Sequence, residues 1–146
     1  MPKVSVLMPV YNTKEEFLRE SIESILHQTF QEFELIILDD GSSNDVESIV
    51  RTYKDTRIGF YKNEQNLGVA KTRNKLLDLA KGEYCAFQDA DDISLPERLE
   101  KQVKFLDENR EIYNEYFVIN LMKQNRIINS NKNLEYTKKV LTEDAK

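Results

Sequence analysis

The 146-residue chain has no tryptophan, one cysteine, one histidine, three prolines and four glycines. Each scarcity closes a class of function. A single cysteine, Cys85, cannot form an internal disulfide, so nothing requires an oxidising compartment. In its apolar run it reads as a small buried hydrophobe. One histidine and one cysteine cannot assemble the usual zinc sites. His27 falls near the end of the first predicted helix, where a terminal or surface role fits better than catalysis. Gly41, Gly59, Gly68 and Gly82 are too scattered to build G-x-G-x-x-G, and no P-loop pattern occurs. No run approaches the ~18 apolar residues of a membrane span. "MPKVSVLMPV" carries one lysine before a short β-type run, which is not a signal peptide. The expectation is a cytoplasmic protein, with peripheral association at the inner face of the membrane left open. Cations are outnumbered, 21 Lys and Arg against 26 Asp and Glu, so there is no basic footprint for nucleic acid.

What is present is ordinary globular material, 40% hydrophobic and 32% charged, long enough for one domain with a real core. "KVSVLMPVYN" predicts a strand over 3–8 that ends at Pro9, since proline cannot donate within a sheet. Thr13 and Glu16 have capping-box spacing, and Leu18, Ile22, Ile25 and Leu26 fall on one helical face. "LIIL" within Phe33–Ser43 is continuously apolar, as in a strand covered on both sides. Val46, Ile49, Val50 and Tyr53 predict a second helix, and Arg57–Asn63 a weaker third strand. Asn66–Gly82 predicts a third helix, with Asn66 as cap and Gly82 at the position after the last turn. Glu83–Asp89 predicts the fourth strand. A second capping box, Ser94 and Glu97 with Pro96 in the first turn, opens a helix through Leu99, Val103 and Leu106. Beyond about residue 110 the pattern changes to strand, polar turn and strand, with a polar end that fits a helix or a tail.

The βαβαβαβα order predicts an α/β fold with a parallel sheet covered by helices. Ligands of such sheets sit at the carboxyl ends of the strands, near the switch in strand order. Three polar clusters fall at those ends: Tyr11–Asn12, Asp39–Asp40 and Asp89–Asp92. The last is the most pointed. Three carboxylates follow an apolar strand, and like charges this close repel. A helix cap explains one acid, not three. Asp89 and Asp91, two apart on a turn, suit Mg2+ or Mn2+ shared with substrate phosphates. Asp39–Asp40–Gly41 is equally ordinary turn chemistry or a pair of acceptors for a base or ribose. Arg73 reads either as a solvated arginine or as a phosphate contact.

Five stretches, "VSVLMPVYN", "SIESILHQTF", "FELIILDDGSSND", "NLGVAKTRN" and "GEYCAFQDADD", occur in one order. Together they resemble the nucleotide-sugar-binding portion of family 2 glycosyltransferases. The resemblance implies a Rossmann-like GT-A sandwich, a mostly parallel central sheet flanked by helices, here truncated. It implies transfer of a sugar from a nucleotide-diphosphate sugar, chiefly a UDP-sugar, to an acceptor hydroxyl, inverting and metal-dependent, as in polysaccharide biosynthesis. By match to the family's motifs, Pro9, Val10 and Tyr11 would meet the base and ribose. Asp40 or its neighbour Asp39 would bond the uracil ring, and Arg73 would lie near the base or phosphate. Asp89, Ala90 and Asp91 match the D-x-D motif, with Asp91 on the cation and Asp89 near the ribose or the metal. Asp92 would extend the cluster toward sugar hydroxyls.

The resemblance also implies a general base well past the D-x-D motif. Thr142–Asp144 imitates that base motif but comes early, so Asp144 is a weak candidate and the base reads as absent. The expected division is therefore a nucleotide-sugar-binding domain over 1–110 and an extension over 111–146 leading toward a missing acceptor-binding part. The acceptor, carbohydrate or lipid-linked, is unspecified, and the exposed edge predicts self-association. Two rival readings stand beside this one. One is a non-catalytic nucleotide-sugar-binding module or inactive fragment. The other is a phosphotransferase, because "YCAFQDADDI" also resembles the haloacid-dehalogenase motif with Asp89 as nucleophile.

Overall fold

The apolar periodicities resolve into eight elements in the computed structural model, which describes residues 1–110. They are β1 (Val4–Val10), α1 (Glu15–Leu26), β2 (Phe33–Asp39), α2 (Val46–Arg51), β3 (Ile58–Lys62), α3 (Val69–Leu79), β4 (Tyr84–Phe87) and α4 (Arg98–Glu108). The four strands are all parallel, in the order β3-β2-β1-β4. The expectations for 111–146, Asp144 included, lie outside the described residues.

Strand alternation sends side chains to two separate cores. Val4, Val6, Met8 and Val10 of β1 pack with Leu18, Ile22 and Ile25 of α1, Ile49 and Val50 of α2, and Leu99 and Val103 of α4. Leu7, Ile36 and Leu38 point the other way and meet Leu76 and Leu77 of α3. Each such fully buried aliphatic side chain contributes about 1.5–3 kcal/mol. Cys85 belongs to this second core, as its apolar setting predicts. β1, β2 and β3 step outward in one direction, and β4 returns to the opposite side of β1. The switch in strand order therefore lies between β1 and β4.

Four local expectations are corrected. β1 does not stop before Pro9 but runs through it to Val10. Lys3 and Leu7 offer their carbonyls to Tyr84 and Gln88, so odd positions of β1 turn their backbone toward β4. β4 pairs only as far as Leu7, so the missing Pro9 N–H forfeits no ladder bond. Neither capping box forms. α1 starts at Glu15 behind Lys14 with no side-chain cap, and α4 starts at Arg98 behind Glu97, also uncapped by a side chain. Ser94 is instead drawn away, its Oγ donating to Gln88 Oε1 at 2.6 Å. Asn66 does not cap α3; Gly68 holds that position at φ 89°. Gly82 does not terminate α3, which ends at Leu79 with Ala80 as its C-cap. It serves a close approach, because a Cβ there would lie 2.6 Å from the Ser5 backbone nitrogen.

Candidate functional site

The two adjacent acids after β2 part company because successive side chains of a strand face opposite ways. Asp39 turns away from α3 and is fully buried. Its Oδ1 accepts from the Ser42 backbone N–H at 2.9 Å, which holds the Asp39–Ser42 turn. Its Oδ2 has no hydrogen-bond partner among the described residues; Lys62 Nζ stands 3.9 Å away. Asp40 turns toward α3. Its Oδ1 accepts from Asn63 Nδ2 at 2.9 Å and from Leu67 N–H at 2.8 Å, and its Oδ2 from Gly68 N–H at 3.1 Å. Burial alone would raise the Asp40 pKa, but donors from Leu67, Asn63, Thr72 and Gly68 outweigh it and hold the carboxyl below its ordinary value. Asp40 thereby pins the 63–68 loop. Gly41, at φ 71°, lets the turn pass so close that a Cβ would meet Asn66 N at 2.7 Å.

That loop delivers the start of α3 and, one turn in, Arg73. The arginine is partly exposed but engaged. Its guanidinium carbon lies 4.8 Å from the Phe87 ring centroid, and Nη2 lies 3.6 Å from Asp89 Oδ1. Its Nε is buried without a hydrogen-bond partner among the described residues.

Asp89, Asp91 and Asp92 are all exposed on the loop between β4 and α4. The loop's backbone is held from behind. Ser21 Oγ donates to Asp89 O at 2.9 Å, Gln88 Nε2 to Asp92 O at 2.7 Å, and Arg98 Nη2 to Phe87 O at 2.8 Å. Burial draws the Arg98 pKa down, and the nearby Asp89 and Asp92 charges oppose that. No sequence pattern singled out Ser21, Gln88 or Arg98. The available signal was a glutamine closing an apolar strand run immediately before three acids.

These parts meet at the carboxyl edge of the sheet, at the switch point. A cleft of about 270 Å³ is lined by Pro9, Val10, Tyr11, Asp40, Arg73, Asp89, Ala90 and Asp91, joined by Thr13, Val69 and Thr72. The residues proposed from sequence within 1–110 therefore converge, except Asp39, which faces the opposite layer, and Asp92, which lines a neighbouring groove instead. His27 ends α1, its N–H bonded to Glu23 O, and does not line the cleft. A wider groove of about 910 Å³ adjoins the cleft, shares Arg73 and Asp89 with it, and runs along Ile93, Leu95 and Lys101. Among the described residues, no three His, Cys, Asp or Glu side chains converge to hold a metal by themselves. Asp89 follows the fourth strand, whereas the phosphotransferase motif ends the first strand of its fold.

The family model described as Glycosyl transferase family 2 matches residues 5–143. An uncharacterized glycosyltransferase of Methanocaldococcus jannaschii is 51% identical over 114 residues, which is 76% of this chain and 39% of the relative. The Escherichia coli UDP-Glc:alpha-D-GlcNAc-diphosphoundecaprenol beta-1,3-glucosyltransferase WfgD is 39% identical over 80% of this chain and 47% of its own length. The crystal structure of S. aureus TarS 1-349 in complex with UDP superposes with a TM-score of 0.69 at 35% identity, over 74% of this chain and 33% of TarS. The mannosyltransferase PcManGT of Pyrobaculum calidifontis, in complex with GDP-Man and Mn2+, gives 0.66 at 28% identity, over 72% of this chain and 32% of that one. The chain thus spans less than half the length of each of these relatives.

Proposed function

The chain belongs to glycosyl transferase family 2, and from that membership we propose that residues 1–110 form the donor half of an inverting, metal-dependent transferase of nucleotide sugars. The observation that carries this reading is the single cleft that gathers Tyr11, Asp40, Arg73, Asp89 and Asp91 at the switch point. The donor is a nucleoside diphosphate sugar of the UDP type. TarS is seen with UDP and with UDP-GlcNAc, and WfgD is named for UDP-glucose.

The residues divide the work by chemistry. Tyr11, half exposed at the rim, offers a ring face to the base. Asp40 Oδ2, which takes the Gly68 N–H, is less heavily bonded than Oδ1 and suits a ring N–H of the base. Arg73 faces the diphosphate. Asp89 and Asp91 supply two oxygen donors, a set that fits Mg2+ or Mn2+ once phosphate oxygens and water complete the coordination. Bound there, such a cation would offset the negative charge gathering on the departing nucleoside diphosphate. The acceptor hydroxyl must also lose a proton to a base. No described residue is assigned that role.

Calorimetric titration with UDP, with and without Mn2+, tests the reading. Binding that tightens with Mn2+ is expected, and no binding in either condition overturns it.

A further inference from the structure

The donor-site reading leaves Ser21, Gln88 and Arg98 without a role. Gln88 is 3% exposed and Ser21 fully buried. Gln88 spends its whole amide on its surroundings: Nε2 donates to Asp92 O and to Ser21 Oγ at 3.1 Å, while Oε1 accepts from Ser94 Oγ and from Arg98 Nη1 at 2.8 Å. Arg98 donates to Phe87 O, Gln88 Oε1 and Ser94 Oγ. All three acceptors are neutral. Among the described residues no carboxylate at contact distance neutralises its charge, and Asp89 and Asp92 feel it from farther off.

This arrangement is costly for plain packing. A guanidinium mostly removed from water gains less from neutral acceptors than from an ion pair. It becomes intelligible in front of three exposed carboxylates. Left alone, the acid loop would spread by self-repulsion. A cation and a diphosphate would then have to order it on arrival, against the entropy of its backbone. Donors fixed from behind remove that cost before the ligand comes.

We propose that Arg98 and Gln88 are positioning residues of the donor site, fixing the Asp89–Asp92 loop through Phe87 O and Asp92 O in the binding conformation before any ligand arrives. The inference rests on the donor-site reading, but its first readout needs no ligand. Hydrogen exchange of the free protein is compared among wild type, Arg98→Lys, Gln88→Leu and the milder Ser21→Ala, which removes the donor to Asp89 O and one of the two acceptors of Gln88 Nε2. Exchange over residues 88–95 rises about tenfold in the variants, with β1, β2 and β3 unchanged. In UDP titrations, affinity without metal stays near wild type, and the gain produced by Mn2+ shrinks about tenfold. Unchanged loop exchange, or exchange rising equally across the whole sheet, overturns the proposal. A wild-type chain that binds no UDP overturns the donor-site reading instead, and the exchange pattern still decides whether these side chains fix the loop.

Discussion

Arg73, on α3, holds its Nη2 3.6 Å from Oδ1 of Asp89, on the loop after β4. The pair joins the two elements that flank β4 in the chain, at the switch point. Both side chains are substantially exposed, so the attraction itself contributes about 0–1 kcal/mol. Its interest lies in position. The cation that would meet a phosphate and the carboxylate that would meet a metal neutralise one another until a ligand separates their tasks.

Arg73→Ala should therefore weaken UDP binding by about tenfold or more while shifting the melting temperature by only a few degrees. Calorimetry and a thermal melt of the same preparation measure the two effects. A large loss of stability with unchanged UDP affinity would assign Arg73 to the scaffold.

Asp91→Asn should erase the gain in UDP affinity that Mn2+ produces, with little change in affinity measured in chelator. The exposed side chain makes stability insensitive to the change. An intact Mn2+ effect in this variant would move the metal ligand elsewhere.

Asp40→Asn should destabilise the fold by about 1–3 kcal/mol, because an amide nitrogen must face a backbone or Asn63 donor that a carboxylate oxygen accepts. Urea unfolding reports the loss. The same carboxylate predicts an acid dependence. Its folded-state pKa lies below the unfolded value, so its contribution is whole above about pH 4 and disappears as pH falls through the folded value. Asp55, lowered by Arg57, and Asp107, lowered chiefly by Tyr84, carry the same sign. Wild-type stability should fall steadily below about pH 4, and the fall should be shallower in Asp40→Asn.

Gly82→Ala should cost about 1–3 kcal/mol, since the added methyl meets the Ser5 backbone nitrogen at 2.6 Å and Ser5 Oγ at 2.8 Å. Gly59→Ala meets only the Tyr61 side chain, at 3.4 Å, and should be mild. Equal effects in parallel urea melts would contradict the close-approach role of Gly82.

Element order and the helix-covered parallel sheet were legible because periodicity is a sum over many residues, and no single misread position alters it. Val4, Val6, Met8 and Val10 against Leu7 already encode the two faces. Single-residue signals fared worse. Thr13 with Glu16 and Ser94 with Glu97 both have cap spacing, yet neither caps, and Ser94 bonds Gln88 across the loop instead. Competition between a local partner and a distant one does not show in spacing. The site followed the same rule. The ordered motifs named the cleft residues, while alternation moved Asp39 to the opposite layer and left Asp40 at the cleft. Gln28 was equally silent in sequence, although its buried amide ties Leu95 O and Leu99 N to α1.

Pro9 has a consequence beyond its place in β1. β4 halts opposite Leu7 while β1 continues for three more residues. The cleft is the gap those unmatched rungs leave. Zipping β4 onward past Gln88 would add ladder bonds and close the gap with the very loop that bears the acids. Proline at the next β4-facing position offers that zipper nothing to grip. It acts as a terminator of strand pairing, and the protein keeps an opening at its sheet edge by forgoing stability it could otherwise have gained there.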